Sequence, residues 1–159
     1  MVAASTSEEI IDKVNQAHEL YHRLVLVVGP SGSGKTSLLQ EVSKQTGFKY
    51  INLNLELSRA LLELTERQRI LRLPLLIDEI IGKTGDQVVL IDNIEILFEV
   101  SLKQDPLRLL QQISRNRTVV TTWNGKMAGG YLTYAAPNHP EYRRYPAHDL
   151  LAVTLEKKS

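Results

Sequence analysis

The sequence contains no cysteine among its 159 residues. Disulfide bonds, thiolate zinc ligands and cysteine nucleophiles are therefore excluded, and this absence agrees with a reducing compartment. No apolar run approaches the roughly 20 residues of a membrane-spanning helix, and Glu8 and Glu9 lie where a signal peptide would be basic and then apolar. We therefore expect a cytoplasmic protein without a membrane partner.

The net charge is also small: the sequence has 19 basic and 18 acidic residues, which gives a formal charge of +1. DNA stays a possible partner, but nucleic-acid binding needs a clustered basic face rather than this balance. The length and the hydrophobic fraction of 43% fit one domain with a sizeable core. We expect a single domain over residues 1–159, with an N-terminal helix at 1–23, an α/β core at 24–155 and a tail at 156–159.

Short apolar runs alternate with segments of helical periodicity. The runs predict strands at residues 24–28, 48–55, 88–92, 118–123 and 150–155, with a loop at 125–146. Helices are predicted after a capping box at Thr6 and Glu9, at 35–46, from Leu57 to Ile81 with a break or kink at Pro74, and after the N-cap Asp105. This alternation predicts an α/β fold: a five-stranded parallel sheet with helices on both faces.

Residues 29–36 read GPSGSGKT and fit the G-x-x-x-x-G-K-[ST] pattern completely. Glycines let the backbone wrap a phosphate with its N–H groups pointing inward, the lysine reaches the β and γ phosphates, and the threonine hydroxyl binds magnesium. The pattern lies between a predicted strand and a predicted helix, as a phosphate loop requires. We predict that ATP is bound by Gly29, Pro30, Ser31, Gly32, Ser33, Gly34, Lys35, Thr36 and Ser37.

Asp92 ends the apolar run VVLID and is predicted to complete the Mg²⁺ site together with Thr36. A strand and a helical segment, residues 48–82, separate the phosphate loop from this aspartate. That spacing is typical of the P-loop ATPases in which another strand lies between the phosphate-loop strand and the acidic one. The run at 118–123 is predicted to be that strand.

Hydrolysis needs a group that orients or deprotonates water, usually a carboxylate placed just after the magnesium aspartate. Asn93 occupies that position, and its amide can orient water but cannot accept a proton. Glu95 can accept one, and it would lie about one turn from Asp92 if a helix begins directly after the strand. Glu95 as the base, Asn93 as a water-positioning residue, and neither of them are three alternatives that the sequence leaves open.

A polar residue at the tip of the fourth strand is expected near the terminal phosphate. Thr122 and Asn124 are both available, and we predict Asn124 because it follows the apolar run and its amide can orient an attacking water. The alternative is that Asn124 is a turn residue ahead of Gly125.

P-loop ATPases that assemble into rings commonly place an arginine against the terminal phosphate of the neighbouring subunit. Two pairs are available here, Arg115 with Arg117 and Arg143 with Arg144. In rings of this type the arginine precedes the fifth strand, which favours Arg143 and Arg144. We therefore expect a homo-oligomer with nucleotide at the subunit interfaces.

Several blocks of the sequence carry a specific resemblance. These are YINLNLELSRALLELTERQRILRLP, LIDNIEILF, SLKQDPLRLLQQISRNRTVV, WNG, GYLTY and HPEYRRYP. Together they resemble the BrxF family, the small P-loop proteins of BREX bacteriophage-defence systems. The resemblance implies an ATPase-like component that works beside a DNA methyltransferase, a larger ATPase, a phosphatase-like protein and a helicase.

LIDNIEILF is also similar to the acidic-strand motif of initiator and helicase-loader AAA+ proteins. Asn93 stands where those proteins have an acidic residue, which puts fast hydrolysis in doubt. The sequence ends a few residues after the predicted fifth strand, so we expect no helical lid of the kind that those proteins append.

The leading hypothesis is an ATP-binding protein that hydrolyses ATP slowly, or only when assembled or bound to a partner. An alternative is a nucleotide-gated scaffold or DNA-associated assembly factor with little hydrolysis. A small-molecule kinase is disfavoured, because the second strand, YINLNL, offers no acidic pair for an acceptor.

Overall fold

The computed structural model describes residues 2–82, 85 and 87–156, with side chains from residue 6 onward. The helices of this part of the chain are α1 (Val2–Ala17), α2 (Lys35–Thr46), α3 (Leu53–Leu61), α4 (Glu66–Gly82) and α5 (Pro106–Ile113), with short 3-10 helices at Glu95–Phe98 and Val100–Leu102. The strands are β1 (Leu24–Gly29), β2 (Lys49–Asn52), β3 (Val88–Asp92), β4 (Thr118–Ala128), β5 (Tyr131–Tyr134), β6 (Arg143–Pro146) and β7 (Leu151–Thr154). None of the described helices is long and apolar enough to cross a bilayer.

Five parallel strands form the body of the sheet in the order β2-β3-β4-β1-β7. β1 and β3 are buried over their whole length, as expected of strands covered on both faces. β4 lies between β1 and β3 and pairs with both. The predicted parallel sheet, and the position of the 118–123 strand within it, are therefore confirmed.

Helices cover both faces of the sheet, and successive strand residues alternate between two cores. Val25 and Val27 of β1 face the core made with α1 and α2. Leu26 and Val28 face the larger core made with α3, α4 and α5. The predicted packing of helices on both faces is confirmed.

The prediction of a loop at 125–146 is wrong. β4 continues to Ala128, a turn follows, and β5 and β6 complete an antiparallel ribbon. The turn residues Gly129 and Gly130 have φ values of 59° and 82°, which suit a two-residue hairpin between right-twisted strands. Tyr134 stacks on Phe98 at 3.6 Å between ring centroids, so aromatic packing anchors the ribbon to the larger core.

The second strand is shorter than predicted, because helix α3 begins at Leu53. The side chain of Asn52 accepts a hydrogen bond from the backbone N–H of Leu55 at 3.1 Å and so caps the helix. The alternation at residues 53–55 belongs to a helix rather than to a strand.

The break between the two following helices lies at residues 62–65 and not at Pro74, which is inside α4. Thr65 and Gln68 form a capping box, in which each side chain accepts a hydrogen bond from the other residue's backbone N–H, at 3.2 and 2.9 Å. Arg69 donates from Nε to the carbonyls of Leu61 and Leu64 and satisfies the end of α3. The hydrogen bonds at the end of α3 and at the start of α4 therefore fix the break at residues 62–65.

The N-terminal helix extends from Val2 to Ala17, so Thr6 lies inside it and does not cap it. The helix also ends before residue 23, the predicted limit of this segment. Of the predicted tail, residues 157–159 lie outside the described residues.

We expect Gly125→Ala to destabilise the protein by about 1–3 kcal/mol, the usual cost of overpacking. A Cβ at this position would overlap the carbonyl oxygen of Thr133 on β5 and would lie 2.9 Å from the indole nitrogen of Trp123. Urea denaturation measures the effect. Gly82→Ala is the matched control, because a Cβ there meets nothing within 4 Å; equal stability of the two variants would contradict the prediction.

Candidate nucleotide-binding site

The phosphate loop connects the end of β1 to the start of α2 at the carboxyl edge of the sheet. Gly32 and Gly34 have φ values of 82° and 94°, in the left-handed region that glycine adopts most readily. Gly29 is needed for space, since a Cβ there would lie 2.6 Å from Ser33 Oγ and 2.9 Å from the carbonyl oxygen of Leu155. The glycines therefore allow the chain to form a loop that a phosphate can enter.

Lys35 is buried at the first turn of α2. Its Nζ donates to the carbonyl oxygens of Gly29 and Pro30 at 2.9 and 2.7 Å, and to Ser33 Oγ at 3.4 Å. Burial lowers the pKa of Lys35, while the carboxylates of Glu95 and Asp92 oppose that change. The ammonium group is thus held by weak neutral acceptors that a phosphate can replace.

The carboxylate of Asp92 joins three neighbouring elements. Its Oδ2 accepts hydrogen bonds from Thr36 Oγ1 at 2.7 Å and from the Tyr50 hydroxyl at 2.6 Å. Its Oδ1 accepts from Thr122 Oγ1 at 2.9 Å and from the backbone N–H of Asn93 at 2.9 Å. Three side-chain donors, from α2, β2 and β4, and the backbone N–H of the next residue therefore fix the orientation of the carboxylate.

Tyr50 is a site residue that sequence reasoning missed. In the register of β2 with β3, Asn52 pairs with Asp92, so Tyr50 lies two residues earlier and on the same face of the sheet as Asn52. Burial, followed by the hydrogen bond to Asp92, raises the pKa of Tyr50. The sequence does contain a signal, because Tyr50 lies two residues before the end of β2, next to the strand that ends at Asp92. This signal can be used only when the strand order is known.

Glu95 and Asn124 meet directly, since Asn124 Nδ2 donates to Glu95 Oε2 at 2.9 Å. Burial raises the pKa of the Glu95 carboxyl, the Asp92 charge adds to that change, and a backbone hydrogen bond and Lys35 oppose it. Thr122, the alternative to Asn124, instead binds Asp92. These two residues, at the end of the part of β4 that pairs in parallel with β1, therefore contact two different carboxylates.

Asn93 has a left-handed backbone, with φ of 59°. This conformation turns the chain directly after β3, and the 3-10 helix that follows begins at Glu95. Asparagine adopts this conformation more easily than most residues because its short polar side chain can hydrogen-bond locally. The chain therefore does not pass directly from β3 into a helix, which was the condition for placing Glu95 one turn from Asp92, but the turn still brings Glu95 to the site.

These residues line a cleft of about 350 Å³. The cleft brings together most of the predicted site: Ser31, Gly32, Gly34, Lys35, Thr36, Ser37, Asp92, Asn93, Glu95 and Asn124, together with Thr122. Gly29, Pro30 and Ser33 do not line it but bind Lys35 from within the loop.

The four candidate arginines lie outside this cleft. Arg143 donates to the carbonyl oxygen of Gln104 at 2.7 Å, and the Arg144 guanidinium lies 3.6 Å from the centre of the Tyr131 ring. Arg117 forms an ion pair with Asp78, and Arg115 lies over Tyr21. No described arginine of the same chain therefore lines the cleft.

Comparison with known families matches residues 25–123 to the ATPase family associated with various cellular activities (AAA). The chain belongs to the AAA family. The match spans the phosphate loop, Asp92 and the start of β4, and it supports nucleotide binding with an ATPase-like function.

Similarity to individual proteins is more limited. A probable gluconokinase of Schizosaccharomyces pombe is 39% identical over 41 residues, which are 26% of this chain and 21% of that protein. PCH-2 of C. elegans is 21% identical with a TM-score of 0.42 and covers 96% of this chain, and AMPPCP-bound DnaA from Aquifex aeolicus is 17% identical with a TM-score of 0.40 and covers 72%. This chain spans 41% and 36% of those two structures and about a fifth of the curated relative.

The donor set fits a nucleotide with Mg²⁺. Magnesium in such sites takes one or two protein ligands and completes its shell with phosphate oxygens and water. The hydroxyl of Thr36 lies 2.7 Å from Asp92 Oδ2, so the two predicted metal residues are already adjacent. The described residues contain no group of three or more His, Cys, Asp or Glu side chains that could hold a metal ion by themselves.

Asn93 provides a direct test of the turn. We expect Asn93→Ala to lower the free energy of unfolding by about 1 kcal/mol relative to Asn93→Gly, because alanine is strained in the left-handed region and glycine is not. Urea denaturation of the two variants measures the difference. If the alanine variant were as stable as the glycine variant, the backbone requirement at residue 93 would be refuted.

Proposed function

We propose that this protein binds ATP with Mg²⁺ and hydrolyses it slowly, or only when assembled or bound to a partner, as a component of a BREX anti-phage defence system. The observation that carries the proposal is the single cleft in which the phosphate loop, Asp92 and Glu95 meet. Membership of the AAA family supports the nucleotide. The BREX assignment depends on the resemblance of the sequence blocks to the BrxF family.

In this proposal, Lys35 exchanges its loop carbonyls for the β and γ phosphates of ATP. Thr36 and Asp92 hold the magnesium ion, which supplies positive charge to the phosphate oxygens. Tyr50 and Thr122 keep the Asp92 carboxylate in place through their hydrogen bonds. The chain thus binds its substrate through groups that are already oriented.

Glu95 is the proposed general base. Its side chain lines the cleft beside Lys35, and its two oxygens have more lone pairs than the hydrogen bonds from Asn124 and the backbone use, so the carboxylate can accept the proton of an attacking water. Asn124 holds the carboxylate and so positions it. Asn93 lines the same cleft, and its proposed role is to turn the backbone.

Slow turnover of the isolated chain follows from two features. The position after Asp92 has no carboxylate, and none of the described arginines of the same chain reaches the cleft. The charge that develops during phosphoryl transfer therefore needs a cation from elsewhere. Arg143 and Arg144 of a second copy are the proposed source, and this role requires a homo-oligomer with nucleotide at its interfaces.

We expect Lys35→Ala to abolish ATP binding and phosphate release, because the variant has no buried cation to meet the phosphates. Glu95→Gln should keep ATP affinity within about twofold and lower phosphate release by about 10²–10⁴-fold, the usual contribution of a general base. Calorimetric titration of ATP with Mg²⁺ and a phosphate-release assay measure the two effects. Glu99→Gln is the matched control, because it makes the same change at an exposed glutamate that directly follows the 3-10 helix Glu95–Phe98.

The same experiment separates the enzyme from a nucleotide-gated scaffold. Equal residual phosphate release by wild type, Lys35→Ala and Glu95→Gln would refute the hydrolytic role of Glu95. ATP binding without hydrolysis in every assembly state would favour the scaffold.

Assembly gives a further prediction. Light scattering after size-exclusion chromatography should show a larger species with ATP and Mg²⁺ than without them, and Arg143→Ala with Arg144→Ala should lower phosphate release at protein concentrations where the wild type is assembled. Released phosphate should rise more steeply than linearly with protein concentration, because the site is completed by a second copy. A nucleotide-insensitive monomer would contradict the interface proposal.

Membership of a defence complex is tested separately. A tagged chain expressed with the DNA methyltransferase, larger ATPase, phosphatase-like protein and helicase of a BREX system should co-purify at least one of them. Recovery of none of the four would argue against the BREX assignment while leaving ATP binding intact.

A further inference from the structure

A second groove, of about 440 Å³, runs along α5 and shares no residue with the nucleotide cleft. Arg108, Gln111, Gln112 and Arg115 line it at helical spacing, so they lie on the same side of α5 and its C-terminal end. Tyr21, which precedes β1, lines the groove as well. We call this surface the α5 groove.

Two guanidinium groups line the α5 groove, and a third lies next to it. Arg108 and Arg115 line it, and Arg23 donates from Nη2 to the carbonyl oxygen of Arg115 at 3.2 Å. Within the described chain, ion pairs involve Arg117 with Asp78 and His148 with Asp149, and none involves these three arginines. Their positive charges are therefore available to an anionic ligand.

The carboxylate in the lining of the groove forms no ion pair with these arginines in the described structure. Asp105 is the acidic member of the described lining. Its Oδ1 accepts the hydroxyl hydrogen of Tyr145 at 2.8 Å and the backbone N–H of Arg108 at 3.3 Å, where it caps α5. Both hydrogen bonds come from uncharged groups, and Asp105 lies at the N-terminal end of α5, whereas Arg115 follows its C-terminal end.

An exposed aromatic ring stands beside the arginines. Tyr21 is 67% exposed, and the Arg115 guanidinium lies 4.7 Å from its ring centre. The ring of His22 meets Tyr21 edge-on at 4.8 Å, and His22 Nδ1 donates to the carbonyl oxygen of Gln111 at 3.0 Å. The tyrosine is thus held in position while most of its surface is open, which is the arrangement of a base-stacking platform.

We propose that the α5 groove binds single-stranded nucleic acid, with Arg108 and Arg115 contacting phosphates, Arg23 adding positive charge beside them, and Tyr21 stacking against a base. Clustered arginines alone would also suit an acidic peptide. The open tyrosine beside them favours nucleic acid, because every base offers a face for stacking and a carboxylate does not. A single strand is favoured over a duplex, because its bases are free to reach the ring.

Fluorescence anisotropy with a labelled oligothymidylate tests the proposal on the full chain. Arg108→Gln with Arg115→Gln should weaken binding at low salt by at least about tenfold. The same double variant should lower the slope of log affinity against log salt concentration by about 0.7 for each phosphate that the protein no longer neutralises. Tyr21→Ala should weaken binding by about tenfold, within the range for removal of one stacked base, while Tyr21→Phe should stay within about twofold of wild type.

Arg67→Gln with Arg72→Gln on the exposed face of α4 removes the same charge elsewhere and should leave affinity within about twofold. Lys35→Ala should bind the oligonucleotide as wild type does, which separates this groove from the ATP site. Equal losses of affinity in the α4 and α5 double variants, or unchanged affinity in Tyr21→Ala, would overturn the proposal. Competition by a polyglutamate peptide or by duplex DNA as strong as that by oligothymidylate would overturn it too.

Discussion

The carboxylate of Asp92 is the point on which the rest of the site depends. A buried carboxylate is costly unless its oxygens are hydrogen-bonded, and here four donors satisfy it. Those donors come from α2, β2, β4 and the turn after β3, so one side chain ties the phosphate loop to three adjacent strands. The strand order makes this possible, because parallel strands bring their carboxyl ends to the same edge of the sheet.

Features with local causes could be predicted from the sequence. The phosphate loop, Asp92 and the buried strand runs are read from contiguous residues, and the described structure has them where the pattern predicts. The insertion of the 118–123 strand between β1 and β3 was also predictable, because the spacing between loop and aspartate distinguishes this topology. Helix α5 was predicted from the N-cap Asp105 followed by proline, and the structure contains that cap.

Features that depend on tertiary packing could not be predicted. Tyr50 reaches Asp92 only because β2 pairs with β3 in one register, which the sequence alone does not state. The antiparallel ribbon after Gly125 depends on the packing of Tyr134 and Trp123 against Phe98, residues far apart in the sequence. Pro74 is tolerated inside α4 because Leu73, Ile77 and Ile81 of that helix are fully buried in the larger core, and this packing outweighs the absence of one backbone hydrogen bond.

In the proposed function, the charges of the cleft separate nucleotide binding from hydrolysis. Without substrate, Lys35 is the one basic side chain in the described lining, and it faces the carboxylates of Asp92 and Glu95. A nucleotide adds further negative charge, so ATP without its metal ion would be repelled by both carboxylates. In the proposed function, binding therefore needs Mg²⁺, for which the proposed ligands Thr36 and Asp92 are already adjacent, whereas the transition state needs one more cation. Because no described arginine of the same chain lines the cleft, the proposal has nucleotide binding complete in one subunit and hydrolysis dependent on a second.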